Sequence, residues 1–69
     1  QTFTSVLREK LSYEDRVRFV KGMWQVAYAD EQLDPYEEYI IRKISDLLYL
    51  KHSDFIQTKL AVGSLSEEQ

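Results

Sequence analysis

The chain has no cysteine, one proline, two glycines and one histidine. Without cysteine there is no disulfide framework, no thiolate zinc site, no iron–sulfur cluster and no thiol nucleophile. Glycine and proline stand only at Gly22, Pro35 and Gly63, so there are few places to turn. No Asn-Gly or Asp-Gly pair and no period-two alternation marks a hairpin. No apolar run approaches the ~18 residues that cross a bilayer. Nine basic residues against twelve acidic ones give a net charge of −3. That balance speaks against a nucleic-acid module, whose affinity rests on phosphate neutralisation. At 30% charged and 43% hydrophobic, the composition is neither that of a disordered chain nor that of a membrane span.

What is present is helical spacing. The 69 residues hold one domain at most. Chains below roughly 70–80 residues seldom build a self-sufficient core without a staple or a partner. The sequence starts at Gln1 and reads as helix almost at once. We therefore expect a piece of a longer protein: one all-α domain over 1–69 with about four helices and a polar tail from about Ser64. Absent cysteine fits a reducing cytoplasm.

The first helix is expected from about Phe3 to Lys10, with Phe3, Val6, Leu7 and Leu11 on one stripe. Ser12 reads as an N-cap with Asp15 as its capping-box partner. The second helix is expected from about Tyr13 to Ala29. At ~100° per residue, Val17, Phe19, Val20, Met23, Trp24, Val26, Ala27 and Tyr28 cover more than half its circumference. Such a helix is either surrounded by the others or meets something outside the chain. The third helix starts cleanly: Asp34 as N-cap, Pro35 at the first helical position, Glu37 at the capping-box position. Its apolar face is Tyr36, Ile40, Ile41, Ile44, Leu47 and Leu48. Its wet face is Glu38, Arg42, Ser45 and Asp46, with Glu38 four residues before Arg42. A last helix follows a turn near Lys51 to Ser53. It carries Phe55, Ile56, Leu60 and Val62 to a stop at Gly63.

The segment from Tyr28 to Glu38 concentrates carboxylates in one turn. Asp30 ends a helix, where the macrodipole disfavours negative charge. Glu37 falls among Ile40, Ile41, Ile44 and Leu48 on the helical wheel. A carboxylate buried without a partner is costly. Two compensations are open. Glu37 can reach back to the Asp34 backbone N–H and complete a capping box. Alternatively, an oxygen-ligated cation, Mg²⁺, Ca²⁺ or Mn²⁺, sits in the turn. An EF-hand is excluded: counted from Asp30, the sixth position is Pro35 where glycine is needed, and the twelfth is Ile41 where glutamate is needed.

The stretch Met23-Trp24-Gln25-Val26-Ala27-Tyr28-Ala29-Asp30, the acidic turn and Glu37 before an apolar helix resemble the tellurite-resistance TerB family. Phe3-Thr4-Ser5-Val6-Leu7 and Ile44-Ser45-Asp46-Leu47-Leu48 resemble its stand-alone members, so the likeness covers about Phe3 to Leu60. It implies an all-α fold of two related halves, each with an acidic turn, of which this chain resembles the second. It also implies a divalent cation or an acidic docking surface at Asp30 and Glu37, with Asp34 and Glu38 adjacent. The implied partners are a missing N-terminal half, a second copy, or another protein. The implied location is the cytoplasm or the periphery of the inner membrane. Glu31 stands where the family has glycine; if that position needs positive φ, the cost is about 1 kcal/mol.

Elsewhere the residues read plainly. His52 lacks the orienting partners of a catalytic group. Ser12 and Ser53 read as caps. Arg16, Arg18 and Lys21 are interleaved with Glu14 and Asp15 and read as a solvated face. Tyr36 and Tyr39 read as boundary aromatics, and Trp24 as core. The leading expectation is a non-enzymatic TerB-like module of a bacterial stress or metal-response system. The alternative is a plain interaction or self-association domain whose acidic turn only caps helices. A metal-dependent hydrolase lacks an oriented general base.

Overall fold

A computed structural model describes residues 2–29 and 33–67, with side chains described as far as Ser64. The described residues form four helices: α1 (Phe3–Lys10), α2 (Tyr13–Ala29), α3 (Pro35–Leu47) and α4 (His52–Glu67). The expected all-α bundle is the observed one. Thr2 opens α1 with a reciprocal capping box: its hydroxyl accepts from the Ser5 N–H at 3.2 Å, and the Ser5 hydroxyl accepts from the Thr2 N–H at 3.1 Å. Ser12 caps α2, its hydroxyl accepting from the Asp15 N–H at 3.2 Å. Asp34 caps α3, accepting from the Tyr36 N–H at 2.9 Å, with Pro35 behind it.

α2 is the central element and packs mainly on α4, then on α3, while α1 leans on α3. The core is Val20, Trp24 and Ala27 from α2, Ile41 from α3, Leu48 and Leu50 from the following turn, and Phe55 and Val62 from α4. Trp24 is fully buried, its ring 5.6 Å from Phe55 and 5.9 Å from Tyr28 between centroids. Phe19 and Val26, placed with them on the sequence wheel, stay exposed, as do Leu47 on α3 and Leu60 on α4. The wide apolar arc of α2 is thus only partly covered.

Ser45, expected on the wet face, is only 1% exposed. It sits in register with Ile41 and Leu48 on one stripe, where a small side chain lets the turn fold beneath it. That turn contains no glycine. Leu50 N–H donates to the Ser45 carbonyl at 3.1 Å and Tyr49 N–H to the Asp46 carbonyl at 3.0 Å, the two bonds of a Schellman motif. Tyr49 therefore takes φ 61°, a left-handed conformation costing a non-glycine residue roughly 1–2 kcal/mol.

The turn ends at Lys51, so α4 starts at His52. Ser53 lies inside its first turn and does not cap it. Gly63 does not stop α4 either, because the helix runs through it to Glu67. A methyl group there would come within 3.3 Å of the Tyr28 hydroxyl. Gly63 serves close approach between α4 and α2, a contact between helices that no local spacing encodes.

Candidate functional site

The carboxylates between α2 and α3 have separate occupations. Asp34 is spent on the α3 cap. Glu38 pairs across to Lys59 on α4, not along α3 to Arg42, and the Lys59 ammonium lies 5.7 Å from the centre of the Trp24 ring. Glu37 does not complete the capping box: among the described residues its carboxylate makes no bond to the Asp34 N–H. It lines an apolar groove of about 340 Å³ with Met23, Val26, Ala27, Tyr36, Ile40 and Ile41. Asp30 and Glu31 lie outside the described residues, so neither the fourth ligand candidate nor the glycine substitution is placed. Among the described residues no group of three or more histidine, aspartate or glutamate side chains gathers where a metal could sit.

The groove is floored by Ala27 and Ile41 from the core and rimmed by exposed side chains. Val26 is 74% exposed and Tyr36 67%. Tyr36 and Tyr39 are three residues apart and both present their rings to solvent, where a boundary position with a covered ring had been expected. The face is apolar and partly exposed, with one carboxylate, Glu37, in its wall.

Away from the residues that line the groove, polar contacts lock α2 to the α3–α4 turn. The Tyr13 hydroxyl accepts from the Lys51 N–H at 3.0 Å and donates to the Asp54 carboxylate in the first turn of α4. Desolvation, and then that donation to Asp54, raise the Tyr13 phenol above its ordinary value of 10.0. Arg16, expected on a solvated face, instead donates to the Leu48 carbonyl at 2.8 Å. This bond lies 32 residues apart in sequence and satisfies a carbonyl at the end of α3. Arg18 does remain on the wet face, paired with Asp15 at 3.2 Å.

His52 opens α4, exposed, its ring 6.1 Å from Phe55. It lines a cleft of about 320 Å³ with Pro35, Glu38, Tyr39, Arg42 and Lys59. Among the described residues no carboxylate or carbonyl orients its imidazole, and the cleft's one carboxylate, Glu38, is committed to Lys59.

Four helices and an apolar groove between α2 and α3 among the described residues define a small all-helical module. A family model described as tellurite resistance protein TerB matches residues 1–60, and the chain belongs to the TerB family. No curated protein and no solved structure matches it. No helix among the described residues is long and apolar enough to cross a membrane.

Proposed function

We propose that this TerB-family chain is a non-enzymatic docking module of a bacterial stress or metal-response system, and that its working surface is the groove between α2 and α3. The observation that carries this reading is the uncovered apolar wall of Met23, Val26, Tyr36 and Ile40 around a single carboxylate, Glu37. Monomers seldom leave large contiguous apolar patches unused. The occupant is a companion TerB-like helical half, which the resemblance supplies, carrying a lysine or arginine beside its apolar stripe to meet Glu37. Where no companion is present, a second copy takes its place.

Sedimentation velocity across a concentration series tests this. The chain should self-associate, and Val26→Asp should abolish association while shifting stability by no more than about 0.5 kcal/mol, as exposed substitutions do. A folded monomer at every concentration, with no change in the groove amide resonances on dilution, overturns the reading.

A divalent cation held by Asp30 and Glu37, with Asp34 and Glu38 beside it, is the second reading. What favours it is that Glu37 has no hydrogen-bond or ion-pair partner among the described residues. Mg²⁺, Ca²⁺ or Mn²⁺ at a hundred times the dissociation constant should then stabilise by about 2.7 kcal/mol. For a domain of this size that is roughly 10–20 °C in Tm. Glu37→Gln should lose most of that increment with little change in ion-free stability. Indifference to all three ions at matched ionic strength removes the cation and leaves the docking groove.

A further inference from the structure

The Arg8 guanidinium from α1 lies 4.2 Å over the centre of the Tyr49 ring. Tyr49 itself is 68% exposed and holds the left-handed turn position where glycine would be unstrained. Arg16 from α2 reaches the same place, fixed by its bond to the Leu48 carbonyl. The two arginines, Tyr49, Ser5 and Glu9 line one cleft of about 270 Å³. Among the described residues, the ion pairs are Arg18 with Asp15 and Lys59 with Glu38, and neither involves Arg8 or Arg16. The Nε atoms of both are buried without an acceptor. In a chain with net charge −3, two guanidiniums from separate helices thus line one cleft in which Glu9 is the one lining carboxylate. The cleft keeps one net positive charge.

We propose that this cleft binds a carboxylate, from a small organic acid or from a free chain terminus. A guanidinium is a planar fork whose N–H groups match a carboxylate two at a time. Tyr49 covers one face of Arg8 by a cation–π contact, which holds the guanidinium in one orientation and leaves its edge for a ligand. The Leu48 carbonyl fixes Arg16 differently, by accepting one Nη1 N–H and leaving the other Nη N–H groups for a ligand. Glu9 in the lining sets the choice among anions, because its repulsion grows with ligand charge and so penalises phosphate more than a single carboxylate. The tyrosine at a glycine position also has a reason here: the ring is needed beneath Arg8. This site faces α1 and the α3–α4 turn and is independent of the α2–α3 groove.

Nitrogen-detected NMR of the arginine Nε–H groups tests the assignment, with acetate, succinate, phosphate and chloride titrated at matched ionic strength. Arg8 and Arg16 resonances and the Tyr49 amide should move saturably with acetate and succinate and not with chloride. Arg8→Lys keeps the charge but loses the fork, and should weaken binding by about tenfold. Tyr49→Gly relaxes the turn, so the fold is retained, and should weaken binding to a similar degree by freeing Arg8. A peptide with a free C-terminus compared with its amidated form separates the two sources. Saturation by the free peptide well below acetate concentrations assigns a chain terminus, and equal affinity assigns a small acid. Shifts that grow linearly and equally with chloride overturn the site. Phosphate binding tighter than acetate overturns the choice of carboxylate.

Discussion

Two stripes run side by side along α2, offset by one residue. Val20, Trp24 and Ala27 are buried against α3 and α4, whereas Phe19 and Val26 are exposed and Met23 between them is half-covered. Both stripes are apolar and both have helical spacing. Hydrophobicity therefore shows that a surface is fit for contact without showing which neighbour supplies the contact. The closed stripe has its neighbour within the chain: Phe55 and Val62 come from α4, and Lys59 lies over Trp24. The open stripe faces the groove that Glu37 enters. If this stripe serves a partner as proposed, its exposed side chains Phe19 and Val26 should carry little of this chain's own stability.

The largest test of that division is Trp24→Ala against Val26→Ala. Removing a buried aromatic costs about 3–5 kcal/mol, a large part of the total stability of so small a domain. Removing two methyl groups from an exposed valine should cost no more than about 0.5 kcal/mol. Urea melts of both variants check this. Comparable losses would mean that the open stripe is as deeply engaged as the closed one.

The second test probes the polar lock at the closed side. Tyr13→Phe deletes the acceptor of the Lys51 N–H and the donor to Asp54. At a net contribution of about 0.5–1.5 kcal/mol per hydrogen bond, the two bonds together give an expected cost of about 1–3 kcal/mol. The lock also carries a pH signature. Because folding raises the Tyr13 phenol, the folded state holds that proton more tightly than the unfolded one. Below pH about 10 both states keep it and the contribution is complete. Above that the unfolded chain releases it first, and stability falls until the folded value is passed. The difference between the parent and Tyr13→Phe in urea midpoint should therefore be constant at neutral pH and shrink in strong alkali. A difference that is flat throughout would show that the phenol is not shifted by folding.

Local chemistry was legible, and pairing between distant segments was not. The bounds of α1 and α2, the Asp34-Pro35 start of α3 and the burial of Trp24 all follow from spacing and capping. Each depends on residues a few positions apart. The burial of Ser45, Gly63 against Tyr28, Arg16 on the Leu48 carbonyl and Glu38 on Lys59 depend on partners that the bundle brings together. At the candidate site the same boundary appears. The Asp34 cap was readable, whereas Glu37 was readable as an apolar-face carboxylate but not as part of the groove wall, and its expected bond back to the Asp34 N–H is not formed. The turn after α3 was misplaced because its left-handed residue is Tyr49, where glycine is the usual signal.

Ser45→Ala turns one of those hidden contacts into a measurement. The Ser45 hydroxyl is buried with no partner, and an unsatisfied buried polar group is destabilising. Alanine keeps the small size that the stripe requires and has the better helix propensity. The expected gain is about 1 kcal/mol in a urea melt. A loss would reveal a hydrogen bond at that hydroxyl and place a water or a backbone carbonyl against it.

The smallest expected effect falls at Gly22, on the edge of the open stripe. A methyl group there meets nothing within 4 Å, and its φ is not in the left-handed region. Glycine inside a helix costs roughly 0.5–1 kcal/mol relative to alanine, through the backbone freedom it loses on folding. Gly22→Ala should therefore stabilise the chain by that amount. Its value lies in the second measurement, self-association by sedimentation. If a partner helix packs tightly along the open stripe, the added methyl group stands at its margin and association should weaken even as the folded chain gains stability. If association is unchanged, the contact is centred on Met23 and Val26 and does not reach Gly22. A loss of stability would instead mean that α2 is already covered at Gly22 within this chain, which would erase the distinction between its two stripes.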